Sequence, residues 1–142
     1  MSQKTIIQLA FLSLIIGVAS VIALHIFGAN AERLNRDAVE KELQAAASIA
    51  QSVWVTPQAL KGAGQDFEEN MSRGQLMASL RIPGEVDLEN AKVVNAHAEY
   101  HLEAVVTDGI QILAIPATWP GELRMVVKRN AETRSWETRM IE

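Results

Sequence analysis

Three patterns of apolar and polar positions follow one another along this chain, and each predicts a different element. From Ile6 to Phe27 the run IIQLAFLSLIIGVASVIALHIF carries no formal charge, with Gln8, Ser13, Ser20 and His25 as its only polar interruptions. As a helix it spans roughly 33 Å at about 1.5 Å per residue, close to the hydrocarbon thickness of a bilayer. It can therefore cross a membrane. A secretory signal has a shorter apolar core of roughly 7 to 15 residues before a small-residue cleavage site. Ala29-Asn30-Ala31 resembles such a site only faintly, and helical patterning continues through it, so a retained segment is expected.

Beyond Phe27 the pattern becomes one-sided. Phe27, Ala31, Leu34 and Ala38 form one stripe, and Val39, Leu43, Ala46, Ala50 and Val53 continue it with a slight offset. Steps of three and four residues put these side chains on one helix face. Glu32, Arg33, Arg36, Asp37, Glu40, Lys41, Gln44 and Gln51 occupy the other, and Ala45 to Ala47 add the highest helix propensity available. The first proline, Pro57, disfavours the α conformation at Thr56 and marks the expected end. One helix from near Gln3 to near Trp54 is predicted, with at most a gentle bend at Gly28 to Asn30.

From Pro57 to Asn90, Gly62, Gly64, Gly74, Pro83 and Gly84 punctuate polar sequence, which reads as an ordered loop with one helical turn around Gln75 to Leu80. After Asn90 the period becomes two: Val94, Ala96, Ala98, Tyr100, Leu102 and Ala104 alternate with Asn95, His97, Glu99, His101 and Glu103. Asp108-Gly109 is a dipeptide favoured in type I′ hairpins. A turn there pairs Ala104 with Leu113 and Leu102 with Ile115, with Glu103 facing Ala114 on the other side. A second hairpin around Asn130 to Thr133 pairs Val127 with Trp136, Met125 with Thr138 and Leu123 with Met140. It leaves Arg124, Lys128, Glu137 and Arg139 outward. Pro116 and Pro120 fall in the link between the hairpins.

The expected fold is α+β: a long N-terminal helix, apolar in its first half and amphipathic in its second, packed on a C-terminal antiparallel sheet of four or five strands. Its parts are the helix, residues 1–56, and a β domain, residues 57–142, with 57–90 as connection. The amphipathic half is the only long element available to cover the sheet.

Charge and composition narrow the function. The net charge of −4 belongs to the C-terminal portion, where thirteen acids oppose nine bases after Thr56, while Lys4 is the only charged residue before Gly28. No basic patch interleaved with aromatics points to nucleic acid. The chain has no cysteine, so disulfides, thiolate metal sites and thiol catalysis are excluded. Counting bases on either side of the apolar run leaves its orientation open, with Lys4 before it and Arg33, Arg36 and Lys41 after it.

Candidate chemistry is sparse. His97, Glu99 and His101 would share a helix face at ligand spacing, but on a strand His97 and His101 are roughly 13 Å apart, too far for one ion. A solvated strand face without structural metal is expected. Gly62-Ala63-Gly64 lacks the Gly-Lys-Ser/Thr ending of a phosphate loop and reads as turn geometry. No nucleophile elbow, nucleotide loop or paired-carboxylate signature occurs, so no enzyme activity and no cofactor are expected. His25 reads as an interfacial or interhelix hydrogen-bonder. Asn70-Met71-Ser72 matches an N-glycosylation sequon.

A long helix with an apolar first half, a docked second half and a C-terminal antiparallel sheet resembles the type IV pilin and pseudopilin architecture. Ala29-Asn30-Ala31, Asn35-Arg36-Asp37-Ala38-Val39 and Pro57-x-Ala59-Leu60-x-Gly62-x-Gly64-x-x-Phe67 are similar to a group of short bacterial pilin-like proteins. Type IV pilins carry a short basic leader ending in Gly, with Glu as the fifth mature residue. Here the start is Met-Ser-Gln-Lys-Thr and no acid precedes Glu32. The resemblance implies a structural subunit of an extracellular filament on the cell surface, held first as a single-pass inner-membrane protein. Its partners would be copies of itself and the pilus or secretion assembly machinery. Its membrane and filament-core residues would be Ile6, Ile7, Leu9, Phe11, Leu14, Ile15, Gly17, Val18, Val21, Ile22, Leu24 and Phe27. Lys4 would meet Glu32 or Asp37 of another subunit. The alternatives are an accessory pseudopilin-like component that stays anchored, or a signal-anchored sensory or ligand-binding domain.

Overall fold

The computed structural model describes residues 2–142 and is α+β. Helix α1 runs unbroken from Gln3 to Val55. Neither Gly28 nor Asn30 interrupts it, consistent with the absence of any proline before Pro57. The chain divides into two compact units, Met1–Leu34 and Asn35–Glu142, so the helix from Asn35 onward shares a unit with everything that follows.

Within the second unit, a 3₁₀ turn at Gln58–Leu60 precedes α2, Phe67–Asn70, and α3, Arg73–Ser79. Each short helix starts on a side-chain cap. Asp66 accepts from the backbone N–H of Glu68 and Glu69 at 3.0 and 3.1 Å. Ser72 and Gln75 form a reciprocal capping box. Six strands follow: β1 (Glu85–Asp87), β2 (Lys92–Val94), β3 (Ala98–Val106), β4 (Gly109–Pro116), β5 (Leu123–Arg129) and β6 (Trp136–Ile141). They form one antiparallel meander in chain order. The count exceeds the expected four or five because three-residue strands are too short to show alternation. β1 lies in the stretch expected to be loop, and of β2 only Val94 falls within the alternating run.

The core lies between one face of the sheet and a seam on α1. Val39, Leu43, Ala46, Ala47, Ala50 and Trp54 meet Tyr100, Leu102, Ile112, Ala114, Leu123 and Val127, with Phe67, Leu76, Met77 and Leu80 closing one side. Phe27, Ala31 and Leu34, the first part of the expected stripe, are exposed.

Both hairpin registers differ from expectation. In the first, the loop is Thr107–Asp108, because Val106 pairs with Gly109. Neither Asp108 nor Gly109 has positive φ, so no type I′ turn forms. Gly109 instead allows close approach of β5: a Cβ there would lie 2.9 Å from the Val127 carbonyl oxygen. Leu102 pairs with Ile112 and Ala104 with Gln111, leaving Glu103 as a bulge that shifts the phase by one residue. The inward residues of β4 are consequently Ile110, Ile112 and Ala114, while Ile115 faces outward. Both faces of β4 are apolar in sequence, so alternation alone could not choose between them. A similar slip occurs earlier, where Val93 is buried and Val94 exposed because Asn95 to His97 turn the chain between β2 and β3.

In the second hairpin Arg129 pairs with Trp136, Val127 with Thr138 and Met125 with Met140. The register moves by two residues, which preserves the faces, and Arg124, Lys128, Glu137 and Arg139 are outward as expected. The wider loop is held by Asn130, whose side-chain oxygen accepts from the N–H of Glu132 and Thr133 and whose own N–H donates to Ser135.

Candidate functional site

The first candidate surface is the apolar stretch of α1. All fourteen large apolar side chains from Ile6 to Phe27 are exposed, ranging from Leu9 at 47% to Leu24 at 72%. Each is worth roughly 1.5 to 3 kcal/mol when buried, so holding them all in water costs on the order of 20 to 40 kcal/mol. This helix is long and apolar enough to cross a membrane. Ser13 and Ser20, polar residues within the run, donate their hydroxyls to the carbonyls of Leu9 and Ile16. Their polarity is thus satisfied within the helix, as an apolar environment requires. Ile6, Ile7, Leu9, Phe11, Leu14, Ile15, Gly17, Val18, Val21, Ile22, Leu24 and Phe27 lie on this one helix and distribute around it. A Cβ added at Gly17 or Gly28 would meet nothing within 4 Å.

Lys4, Glu32 and Asp37 are exposed, and among the described residues none of them forms an ion pair. Asn70 is half-buried, and its amide nitrogen, the atom a glycan would occupy, donates to the Ala63 carbonyl at 2.8 Å.

The second candidate is a polar cluster that fastens the sheet to α1. Glu42, on the edge of the helix seam with a side chain only 15% exposed, accepts at both carboxylate oxygens. His97 Nδ1 donates to Oε1 at 2.9 Å, Asn95 Nδ2 donates to Oε2 at 3.0 Å, and the Tyr100 hydroxyl donates to Oε2 as well. Asn95 organises the turn that presents these donors. Its side-chain oxygen accepts from the N–H of His97 and Ala98, and its amide also donates to the Pro83 carbonyl at 2.6 Å. Two turns earlier in α1, Asn35 donates to the His97 carbonyl at 2.9 Å.

Burial pushes the Glu42 carboxyl up, but the hydrogen bonds from Tyr100, Asn95 and His97, with the His97 charge, outweigh it and hold the carboxyl below its ordinary value. Burial, then the hydrogen bond to Glu42 and its negative charge, push the Tyr100 hydroxyl well above its ordinary value. Tyr100 therefore stays protonated and donates. With both Glu42 oxygens and the Tyr100 hydroxyl paired, the cluster fastens the helix to the sheet.

His97, Glu99 and His101 do not form the single solvated strand face expected of them. His97 precedes β3 and reaches back to Glu42, while His101 Nε2 lies 2.8 Å from Glu99 on the outer sheet face. The three side chains are divided between two separate pairs. Glu42 was the residue that alternation and motif reading passed over. Its signal was position: Val39, Glu42 and Ala46 follow helical spacing, which puts a carboxylate on the border of an apolar stripe.

Comparison with protein-family models, with curated proteins and with solved structures gives no match.

Proposed function

We propose that this chain is the structural subunit of an extracellular pilus-like filament, assembled through the apolar part of α1 from a membrane-held pool. The observation that carries the reading is the unbroken helix Gln3–Val55, one continuous element that is wholly exposed and apolar over Ile6 to Phe27 and fixed to a sheet by Asn35, Glu42 and Trp54. An apolar surface of this size needs lipid or other apolar helices around it at all times. A subunit that leaves the bilayer by sliding into a bundle of identical helices meets that requirement in both environments. The sheet unit then forms the outside, and the inner membrane and an assembly machine are the partners before polymerisation. The fixed cluster at Glu42 supports a structural rather than an enzymatic role.

Electron microscopy of sheared surface material, with mass spectrometry of its principal band, tests this. The expected result is thin filaments whose dominant protein is this chain. Recovery of the chain only in the membrane fraction, with none in sheared material, replaces the reading with an anchored accessory component.

A further inference from the structure

A groove in the second unit gathers two cations. It is walled by the last turns of α1, the turn after it and the end of α3, and has a volume of about 520 Å³ lined by Thr56, Lys61, Ser79 and Arg81 among others. A second hollow of about 670 Å³ adjoins it, sharing Lys61, Gly62 and Ser79 and adding the amides of Gln58 and Gln75. Two cations line this surface and no carboxylate does. Among the described residues neither Lys61 nor Arg81 forms an ion pair, in a chain whose net charge is −4.

Both cations stand where a short helix ends. Lys61 follows the 3₁₀ turn at φ 63° and Arg81 follows α3 at φ 56°, both in the left-handed region. These are helix-ending positions where glycine is the usual residue because it takes this conformation without a Cβ clash. Long cationic side chains stand there instead, and both open onto the same groove. Gln65, Ala91 and Arg134 share this conformation elsewhere in the chain, so what sets Lys61 and Arg81 apart is that two cations held this way line one groove.

We infer that this groove binds a small oxyanion, a carboxylate or phosphate carried on a hydroxyl-bearing molecule. Lys61 and Arg81 neutralise the anionic group, the Gln58 and Gln75 amide nitrogens can donate to the ligand's hydroxyls, and the Thr56 and Ser79 hydroxyls, which donate to the Ser52 and Leu76 carbonyls, can accept from them. Gly62 lets this turn pack against the end of α1, since a Cβ there would lie 2.1 Å from the Thr56 carbonyl oxygen. The site is independent of whether the chain polymerises.

The test is calorimetric titration of the full chain in nonionic detergent with glucuronate, inorganic phosphate and, as neutral comparator, glucose. Glucuronate or phosphate is expected to bind and glucose not to. Tighter binding of glucuronate assigns the carboxylate form, and tighter binding of phosphate assigns the other. Lys61→Gly and Arg81→Gly should each weaken binding roughly tenfold or more, as loss of a charged hydrogen-bond partner does. Because glycine relaxes both positions, the melting temperature should be unchanged or higher, which separates loss of a ligand contact from loss of fold. The inference is overturned if neither anion binds, if glucose binds as well as glucuronate, or if both glycine variants bind like the wild type.

Discussion

Tyr100, the third residue of β3, donates its hydroxyl to Glu42 on α1, joining the sheet to the docked helix through a carboxylate that burial alone would destabilise. Removing one partner leaves the other buried and incompletely paired. Tyr100→Phe and Glu42→Gln should each destabilise the sheet unit by about 1 to 3 kcal/mol, read as a lower thermal midpoint of the full chain in detergent. A midpoint shift of under a degree in both variants would show that the cluster does not fasten the helix.

The same pair makes stability depend on acid. Glu42 has a folded-state pKa below its unfolded value, so its contribution is fully present above the ordinary glutamate range, near pH 4.3, and is lost as pH falls through the lower folded value. Wild-type stability should therefore decline on acidification below roughly pH 4.5. In Glu42→Gln the decline should be shallower, because the titrating group is gone while other carboxylates remain. Parallel acid limbs in melts of the two proteins would remove Glu42 from the account.

Two glycines in helices should respond oppositely to alanine. Gly74, in the first turn of α3, lies against the chain between β1 and β2, where a Cβ would come within 2.0 Å of the Leu88 carbonyl oxygen. Backbone must move to accept it, so Gly74→Ala should cost about 1 to 3 kcal/mol or more. Gly28 in α1 has open space around it, and Gly28→Ala should strengthen the helix by roughly 0.5 to 1 kcal/mol. Thermal melts followed at 222 nm by circular dichroism distinguish the two, and a destabilised Gly28→Ala would indicate that this position is packed in the native state.

Legibility in the sequence tracked the length of each pattern. Helix α1 was readable almost to the residue, because its apolar run, its stripe and Pro57 all pointed to the same element. The hairpins were readable as hairpins but not in register: the Glu103 bulge and the wide Asn130 to Ser135 loop each insert residues that alternation has no means of signalling. Strands β1 and β2, three residues each, gave no periodic signal. Of the sites, the apolar surface was legible from hydropathy alone. The Glu42 cluster was not, since its members come from α1, the β2–β3 turn and β3, and their meeting depends on a turn that the two-residue period had read as strand.

The aromatic end of the seam offers a test of how α1 terminates. Trp54 donates its indole N–H to the Thr107 carbonyl at 3.0 Å, meets Trp136 edge-on at a centroid distance of 5.6 Å and is covered by the Arg129 guanidinium at 4.6 Å. Trp54→Phe keeps the apolar body and deletes the donor, leaving a carbonyl without this partner. A loss of about 1 to 2 kcal/mol is expected, with a change in near-ultraviolet circular dichroism from the altered Trp136 environment. An unchanged aromatic signal would mean that the tryptophan pair is not formed.

The last prediction concerns the proposed filament core. Along Ile6 to Phe27, large aliphatics are mixed with Ala10, Gly17, Ala19, Ser20 and Ala23, and small residues let identical helices approach closely. Gly17 lies mid-run with nothing within 4 Å of its virtual Cβ in the single chain, so a side chain there is tolerated by the subunit itself. In a bundle of identical helices, Gly17→Glu introduces a carboxylate that every copy repeats, and burying such charges unpaired is prohibitive. Lys4 is the one cation nearby in sequence and lies more than three helical turns away, too far along the axis to neutralise it within its own chain. The variant should abolish filaments in sheared surface material while the sheet unit keeps its thermal midpoint and near-ultraviolet signal, because the substitution lies outside that unit. Gly17→Ala, which adds volume without charge, should leave filaments present, so that loss in the glutamate variant reports charge burial and not crowding. Filaments of normal diameter and abundance from Gly17→Glu would place the core elsewhere, and normal membrane insertion of the variant must be checked in the same cells by fractionation.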